Sequence, residues 1–365
     1  MRNISLVDPG LSGYGGHHAE LDFNIARELI ARGWEVKIFS HKTFVSKEPD
    51  IEVIPSFSVS PYNIMRSYHK SSGRSQSENL FDFGAQVFSR ELKANVAIGD
   101  VLLMPTVWPC TLRGLSLSGL KVSRLVAIIH SPINSYNSDH GEFFWRTAFR
   151  GVESAAKELF IGILEGELFT DYESLLEVDT IKLHQFPIPH SGFDSRETKR
   201  SQFTAGLFGH QASKNTGLIP TAVGIIRRNG IDVVIQDSSG VIKKSREDNG
   251  IRIYGYVSNF PKLISECDVT VLLYDNKHYK KNGSGVFWES VASGVPLVVP
   301  LGTAQSKYIG YCGNGLSFIP GDLESMAKKV NEIAANQCRF RVFADYARGA
   351  YRRRNSVSRF VDYIT

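Results

Sequence analysis

The residues with the most chemistry in them lie between 282 and 296: Asn282-Gly283-Ser284-Gly285-Val286-Phe287-Trp288-Glu289-Ser290-Val291-Ala292-Ser293-Gly294-Val295-Pro296. Small residues open a helix, a carboxylate stands one turn in, and Gly-x-Pro closes it before a strand. Such a loop turns the free N–H groups of the helix start toward a diphosphate and aims Glu289 at a neighbouring hydroxyl pair. The plain alternative is a carboxylate that only satisfies the helix dipole. A second glycine loop, Gly13-Tyr14-Gly15-Gly16, follows the apolar run Ile4–Val7, and its amides are suited to a phosphate. Here the plain alternative is a tight turn. This loop does not complete a dinucleotide fingerprint. His18 stands where the third small residue belongs, and Ser40-His41-Lys42 offers no acidic ribose ligand, although Lys42 is of the right charge for a 2′-phosphate. His17 and His18 do not make a metal pair, because adjacent helical residues do not face one another.

The elements that must position these residues read as two runs of alternating strand and helix. Ile4–Val7, a helix with Leu21, Ile25 and Leu29 on one stripe that stops at Gly33, and Trp34–Phe39 form one βαβ unit. That unit implies a parallel sheet covered by helices. Val101–Met104, Leu125–Ile129 and Leu159–Leu164 are further strands, and 148–159 reads as a helix. The polar, serine-rich stretch Arg66–Asn79 reads as a mobile surface loop. Two prolines and a glycine in Gln185-Phe186-Pro187-Ile188-Pro189-His190-Ser191-Gly192 mark a boundary. After it come strands at 203–208, 232–236, 251–254, 269–274 and 297–300, with helices at 218–228, 260–267 and 286–293. The end, 338–365, reads as helical, rich in arginine and without a core pattern. The domains expected are therefore 1–186, 187–345, and a terminal helix over 346–365.

The chain has 365 residues, 42% hydrophobic and 22% charged, enough for two buried cores. Its net charge of +5 divides unevenly: 18 Lys/Arg and 22 Asp/Glu up to residue 190 give −4, and 24 and 15 after it give +9. A basic second half suits an anionic ligand, while the basic run Arg352-Arg353-Arg354 reads as a solvated face. No apolar stretch has the length of a membrane helix, the strand-like run from Ile4 so soon after Met1 leaves no signal peptide expected, and the four cysteines form no CxxC pair. These features lead us to expect a soluble cytoplasmic protein without zinc or disulfides. Aromatic residues spaced as core, with basic residues dispersed, argue against nucleic acid.

At Glu289 the sequence resembles the retaining glycosyltransferases of GT-B fold, in particular glycosyltransferase family 4, whose segment reads roughly G-F-G-x-x-x-x-E-A-M-A-x-G-x-P-V-V. Glu289, Gly294 and Pro296 match, and Ser284-Gly285 hold the loop. Further matches follow in order along nearly the whole chain. Gly15-Gly16 resembles the glycine pair whose amides approach the donor phosphate, and His130 resembles the histidine that faces the transferred sugar. Ile188-Pro189-His190-Ser191-Gly192-Phe193-Asp194 resembles I-P-N-G-V-D. Phe208-Gly209-His210 through Lys214 resembles F-x-G-R-L-x-x-x-K-G, with His210 in place of the arginine and the lysine one residue early. Lys281 replaces the first of two family glutamates; Glu289 fits the second, which binds the nucleotide ribose.

The resemblance implies an α/β protein of two Rossmann-like domains facing each other across a cleft. It implies retaining, metal-independent transfer from a nucleotide-diphosphate sugar to a glycan, lipid-linked or small-molecule hydroxyl. Lys214, His210 and the amides at Gly15-Gly16 and Ser284-Gly285 would stabilise the leaving diphosphate. His130 would hold the sugar, and Gly209, Lys281, Gly283 and Glu289 complete the donor site. The plain alternative for His130 is a strand-end histidine bonded to backbone. No Asp-x-Asp is present for a metal-dependent mechanism, and no cofactor is expected. A non-catalytic sugar-nucleotide-binding subunit and a UDP-sugar epimerase of the same fold remain as alternatives. Peripheral contact with the inner face of a membrane is compatible with this reading.

Overall fold

The computed structural model describes residues 2–14, 17–68, 74–134, 140–176, 181–190, 202–209, 214–236, 246–255, 257 and 259–365. The chain divides into two compact units, Met1–Pro189 with Val357–Thr365, and His190–Ser356.

The first unit carries β1 (Asn3–Asp8), α1 (His17–Ala31), β2 (Glu35–His41), β3 (Glu52–Phe57), α2 (Pro61–Tyr68), α3 (Arg74–Asn95) and β4 (Val101–Met104). α4 (Pro109–Ser118), β5 (Val122–Ile129), α5 (Gly141–Phe149), β6 (Ala156–Ile163), α6 (Gly166–Glu173) and β7 (Lys182–Gln185) complete its sheet and cover. All seven strands are parallel, in the order β3-β2-β1-β4-β5-β6-β7. A parallel sheet buried on both faces needs unbroken apolar strands. Leu102, Leu125, Ala127, Ile129, Ile161 and Ile163 supply them, all fully buried.

The second unit begins with β8 (Thr204–Leu207), α7 (Ile219–Arg228), β9 (Asp232–Gln236), β10 (Arg246–Asp248), β11 (Ile251–Tyr254), α8 (Phe260–Ser265) and β12 (Val269–Val271). α9 (Gly285–Ala292), β13 (Leu297–Pro300), α10 (Ala304–Cys312), β14 (Gly315–Phe318), α11 (Leu323–Ala335) and α12 (Gln337–Asn355) follow, and α13 (Val357–Ile364) returns to the first unit. The second sheet runs β10-β11-β9-β8-β12-β13-β14, parallel except for the antiparallel pair β10–β11.

Three expectations are corrected. Where a loop was expected over 66–79, α2 reaches Tyr68 and α3 starts at Arg74. The serine-rich start of α3 hides a stripe, Phe81, Ala85, Phe88 and Leu92, that buries against the core. The helix expected over 148–159 ends at Phe149. Gly151 takes a positive φ of 84°, a conformation that favours glycine, and strand β6 then pairs with β5. The terminal segment does carry a core pattern. Phe340, Ala344, Ala347 and Tyr351 of α12 are buried, Tyr351 stacks on Trp288 at 5.3 Å, and Arg352 donates to the Ala292 carbonyl at 3.0 Å. On α13, Phe360, Val361 and Ile364 are buried in the first unit, where Arg32 pairs with Asp362 at 2.7 Å.

Candidate active site

In an open parallel sheet, ligands bind outside the carboxyl ends of the strands where the winding reverses. In the second sheet that place lies between β8 and β12. β8 runs out into Phe208 and Gly209, and β12 leads into Leu272, Leu273 and Tyr274. Gly209 has φ 109°, and a side chain there would collide with the stem of Lys214, which folds back over it. The Lys214 ammonium stands 5.7 Å from the centre of the Tyr274 ring. Burial lowers its pKa from the usual 10.5 to about 8, and no carboxylate among the described residues pairs with it. Tyr274 is stacked on Tyr279 at 4.1 Å, and burial, with Tyr279 beside it, pushes its phenol well up, so it stays neutral.

The Tyr274 hydroxyl lies 2.6 Å from Ser284 Oγ, which caps α9 by accepting the Phe287 amide at 3.2 Å. Ser284 therefore couples the β12 exit to the positive end of that helix. Behind the cap, α10 braces the loop: the Gln305 side-chain amide donates to the Asn282 carbonyl at 2.8 Å. Five residues after the cap, Glu289 is only 4% exposed. Its Oε1 accepts from His190 Nδ1 at 2.7 Å, and its Oε2 is buried and finds no donor among the described residues. Gly285 belongs to the same place, since a Cβ on it would stand 3.7 Å from His190 Cε1. Contacts thus join Gly209, Lys214, Tyr274, Ser284, Gly285, Glu289 and His190 in one chain of neighbours. Gly283 and Lys281 lie half-buried just before the cap, Lys281 closing the 3-10 turn His278–Lys280. Gly15, Gly16 and His210 fall outside the described residues.

The first unit holds its own polar cluster at the carboxyl edge of its sheet. His130, just beyond β5, donates Nε2–H to the Pro105 carbonyl at 2.6 Å, the backbone bond of the plain alternative. Asp8, the last residue of β1, accepts the Gly10 amide at 2.7 Å and faces His18 Nδ1 at 2.5 Å. His18 Nε2 in turn lies 2.7 Å from the Tyr62 hydroxyl. Burial alone would raise the Asp8 carboxyl, but His18 outweighs it by charge and hydrogen bond and holds Asp8 below the usual range. Asp22, one turn along α1 from His18, is fully buried, and neither of its oxygens meets a donor from any described residue other than its carboxyl neighbour Asp8. Burial and the Asp8 charge push its pKa well up, so Asp22 keeps its proton and shares it with Asp8.

Tyr274, Asp8, Asp22 and Tyr62 were not singled out from sequence; His18 was read only against the glycine loop and a metal pair, and His190 only within the stretch between the domains, neither in the contacts seen here. The i,i+4 spacing of His18 and Asp22 on an otherwise apolar helix face was the one local signal. His190 lies 99 positions from Glu289, so nothing local announces their contact. No group of His, Cys, Asp and Glu among the described residues is arranged to hold a metal ion.

No family model matches the sequence, and no curated protein matches it. Solved structures do match in fold. Sucrose-phosphate synthase from Thermosynechococcus elongatus superposes with a TM-score of 0.68 at 12% identity, over 100% of this chain and 98% of that one. The glycotransferase of kitacinnamycin gives 0.67 at 15%, over 100% and 98%. WaaG, a glycosyltransferase involved in lipopolysaccharide biosynthesis, gives 0.63 at 13%, over 99% of both chains. The chain therefore has the fold of the GT-B glycosyltransferases.

Proposed function

We propose that this protein is a glycosyltransferase that moves a sugar from a nucleotide-diphosphate donor to the hydroxyl of a glycan, lipid-linked or small-molecule acceptor, with retention and without a metal. The observation that carries the reading is Lys214, a half-buried, desolvated ammonium with no counter-charge among the described residues, beside the capped start of α9. A cation in that state is stabilised by an incoming anion, and a helix N-terminus adds amide donors to it. Glu289, further along the same helix, offers a carboxylate oxygen to the ribose. As the donor C–O bond breaks, negative charge gathers on the diphosphate, where Lys214 and the α9 amides are already oriented. The sequence resemblance adds His210, Gly15 and Gly16 to that task, gives His130 to the sugar, and places Lys281 beside the donor.

Among the described residues no helix is long and apolar enough to cross a membrane. A cytoplasmic enzyme, with acceptor contact at a membrane surface where the acceptor is lipid-linked, fits this reading. Likeness in fold to sucrose-phosphate synthase and WaaG supports the reaction class. Thermal-shift measurements with UDP, GDP, ADP and dTDP test it: a ligand at 100 times its dissociation constant stabilises by about 2.7 kcal/mol. With the donor so identified, Lys214→Ala is expected to lower turnover by roughly 100- to 1000-fold. A flat response to all four nucleotides, or undiminished turnover in Lys214→Ala, refutes the proposal.

A further inference from the structure

We infer that His190 is the positioning residue that lets the nucleotide site read the sugar hydroxyls of a ribonucleotide. The inference rests on the proposed function and concerns the same site. Glu289 is 4% exposed and its carboxylate oxygens have unequal surroundings. Oε1 is held by His190 Nδ1 at 2.7 Å, while Oε2 is buried with no donor among the described residues. A carboxylate only accepts hydrogen bonds, so the proton of this bond lies on Nδ1. His190 thereby locks the last torsion of Glu289 and commits one oxygen, leaving the other as a single, directed acceptor. A buried carboxylate oxygen without a donor is costly, and the missing donor is an O–H or N–H of the ligand.

The distance along the helix indicates which part of the ligand brings that donor. Glu289 lies five residues past the Ser284 cap, about 7.5 Å along the axis at about 1.5 Å per residue. An anion at the cap with a hydroxyl that far along matches a nucleoside diphosphate lying along α9. Gly285, exposed at the helix start, brings that start against His190, since a Cβ there would make an ordinary contact of 3.7 Å with the imidazole Cε1. A ligand without the hydroxyl leaves Oε2 unmet, and sites of this kind reject such analogues strongly. His190 opens the second unit, directly after Pro189, so the chain entering the unit is fastened to its nucleotide site.

The test compares UDP, GDP and ADP with their 2′,3′-dideoxy forms, and all of them with inorganic pyrophosphate, by titration calorimetry. The wild-type chain is expected to prefer at least one ribonucleotide over its dideoxy form by about tenfold or more. In His190→Ala that preference falls below about threefold, while pyrophosphate, held by Lys214, binds within about threefold of wild type and shows the variant to be folded. His190→Asn, whose amide nitrogen can stand where Nδ1 stands, keeps the preference. An unchanged preference in His190→Ala, or its loss in His190→Asn as complete as in His190→Ala, overturns the role of His190 even though the nucleotides bind. A wild-type chain that binds neither pyrophosphate nor any nucleotide overturns the nucleotide site and this inference together.

Discussion

Replacing Lys214 by methionine should make the empty protein more stable and the site useless. Methionine is unbranched, of similar length and at home in an apolar environment. In the folded chain the ammonium titrates at about 8 rather than 10.5 because it is buried. A fall of about 2.5 at about 1.36 kcal/mol per pH unit corresponds to a cost of about 3.4 kcal/mol. The sign follows from linkage. Below pH 8 both folded and unfolded chains carry the charge, and the whole cost is present. Between 8 and 10.5 the unfolded chain holds the proton that the folded chain gives up, so wild-type stability rises with pH. At pH 7, Lys214→Met is therefore expected to melt above wild type, by about 7 to 14 °C for a unit of this size, and the gap should close toward pH 10.5. Saturating pyrophosphate should reverse the order of benefit, adding about 2.7 kcal/mol to wild type at 100 times its dissociation constant and nothing to the variant. Calorimetric melting at pH 7, 9 and 10.5, with and without pyrophosphate, reads both effects. A variant no more stable than wild type at pH 7 refutes the burial argument. Equal stabilisation of both proteins by pyrophosphate refutes the anion site.

Two further predictions concern the protonated carboxyl and the terminal helix. Asp22 retains its proton in the fold at pH values where the unfolded chain, with an aspartate near 3.8, has lost it. It therefore lowers stability by about 1.36 kcal/mol per pH unit as pH rises above that value. Asp22→Asn, which still offers Asp8 an N–H donor, should gain on wild type between pH 4.5 and 6 in thermal melting; a constant difference would count against the shared proton. Tyr351→Ala removes the ring stacked on Trp288 beneath α9 and should cost the second unit about 3 to 5 kcal/mol in denaturant unfolding. A loss below 1 kcal/mol would mean that α12 does not support the site helix.

What sequence made legible is what short-range signals encode. Asn282–Pro296 could be read because small residues, a helix-spaced carboxylate and Gly-x-Pro all lie within fifteen positions, and the structure turns them into the capped start of α9. The buried strands at 101–104 and 297–300 could be read because a parallel sheet covered on both faces demands apolar runs. α3 could not, since Arg74, Ser75, Gln76 and Ser77 make a helix start look like a loop. α12 could not, because seven arginine or charged neighbours obscure four buried positions spaced by four, three and four. The bond between His190 and Glu289, and the proton between Asp8 and Asp22, depend on tertiary approach, which no local pattern carries.

The return of α13 to the first unit has a consequence for the order in which the protein matures. The first unit is interrupted in the chain: its last helix lies beyond the whole of the second unit. On a ribosome, residues 1–189 emerge first yet lack Phe360, Val361 and Ile364, and with them the edge-on contact of Phe360 with Phe186 at 5.5 Å and the Arg32–Asp362 pair. The second unit, continuous from His190 to Ser356, is complete while the first still waits for its final helix. Synthesis therefore finishes the second unit before the first, and an interrupted chain ending near residue 356 would carry an intact second unit beside an unfinished first one.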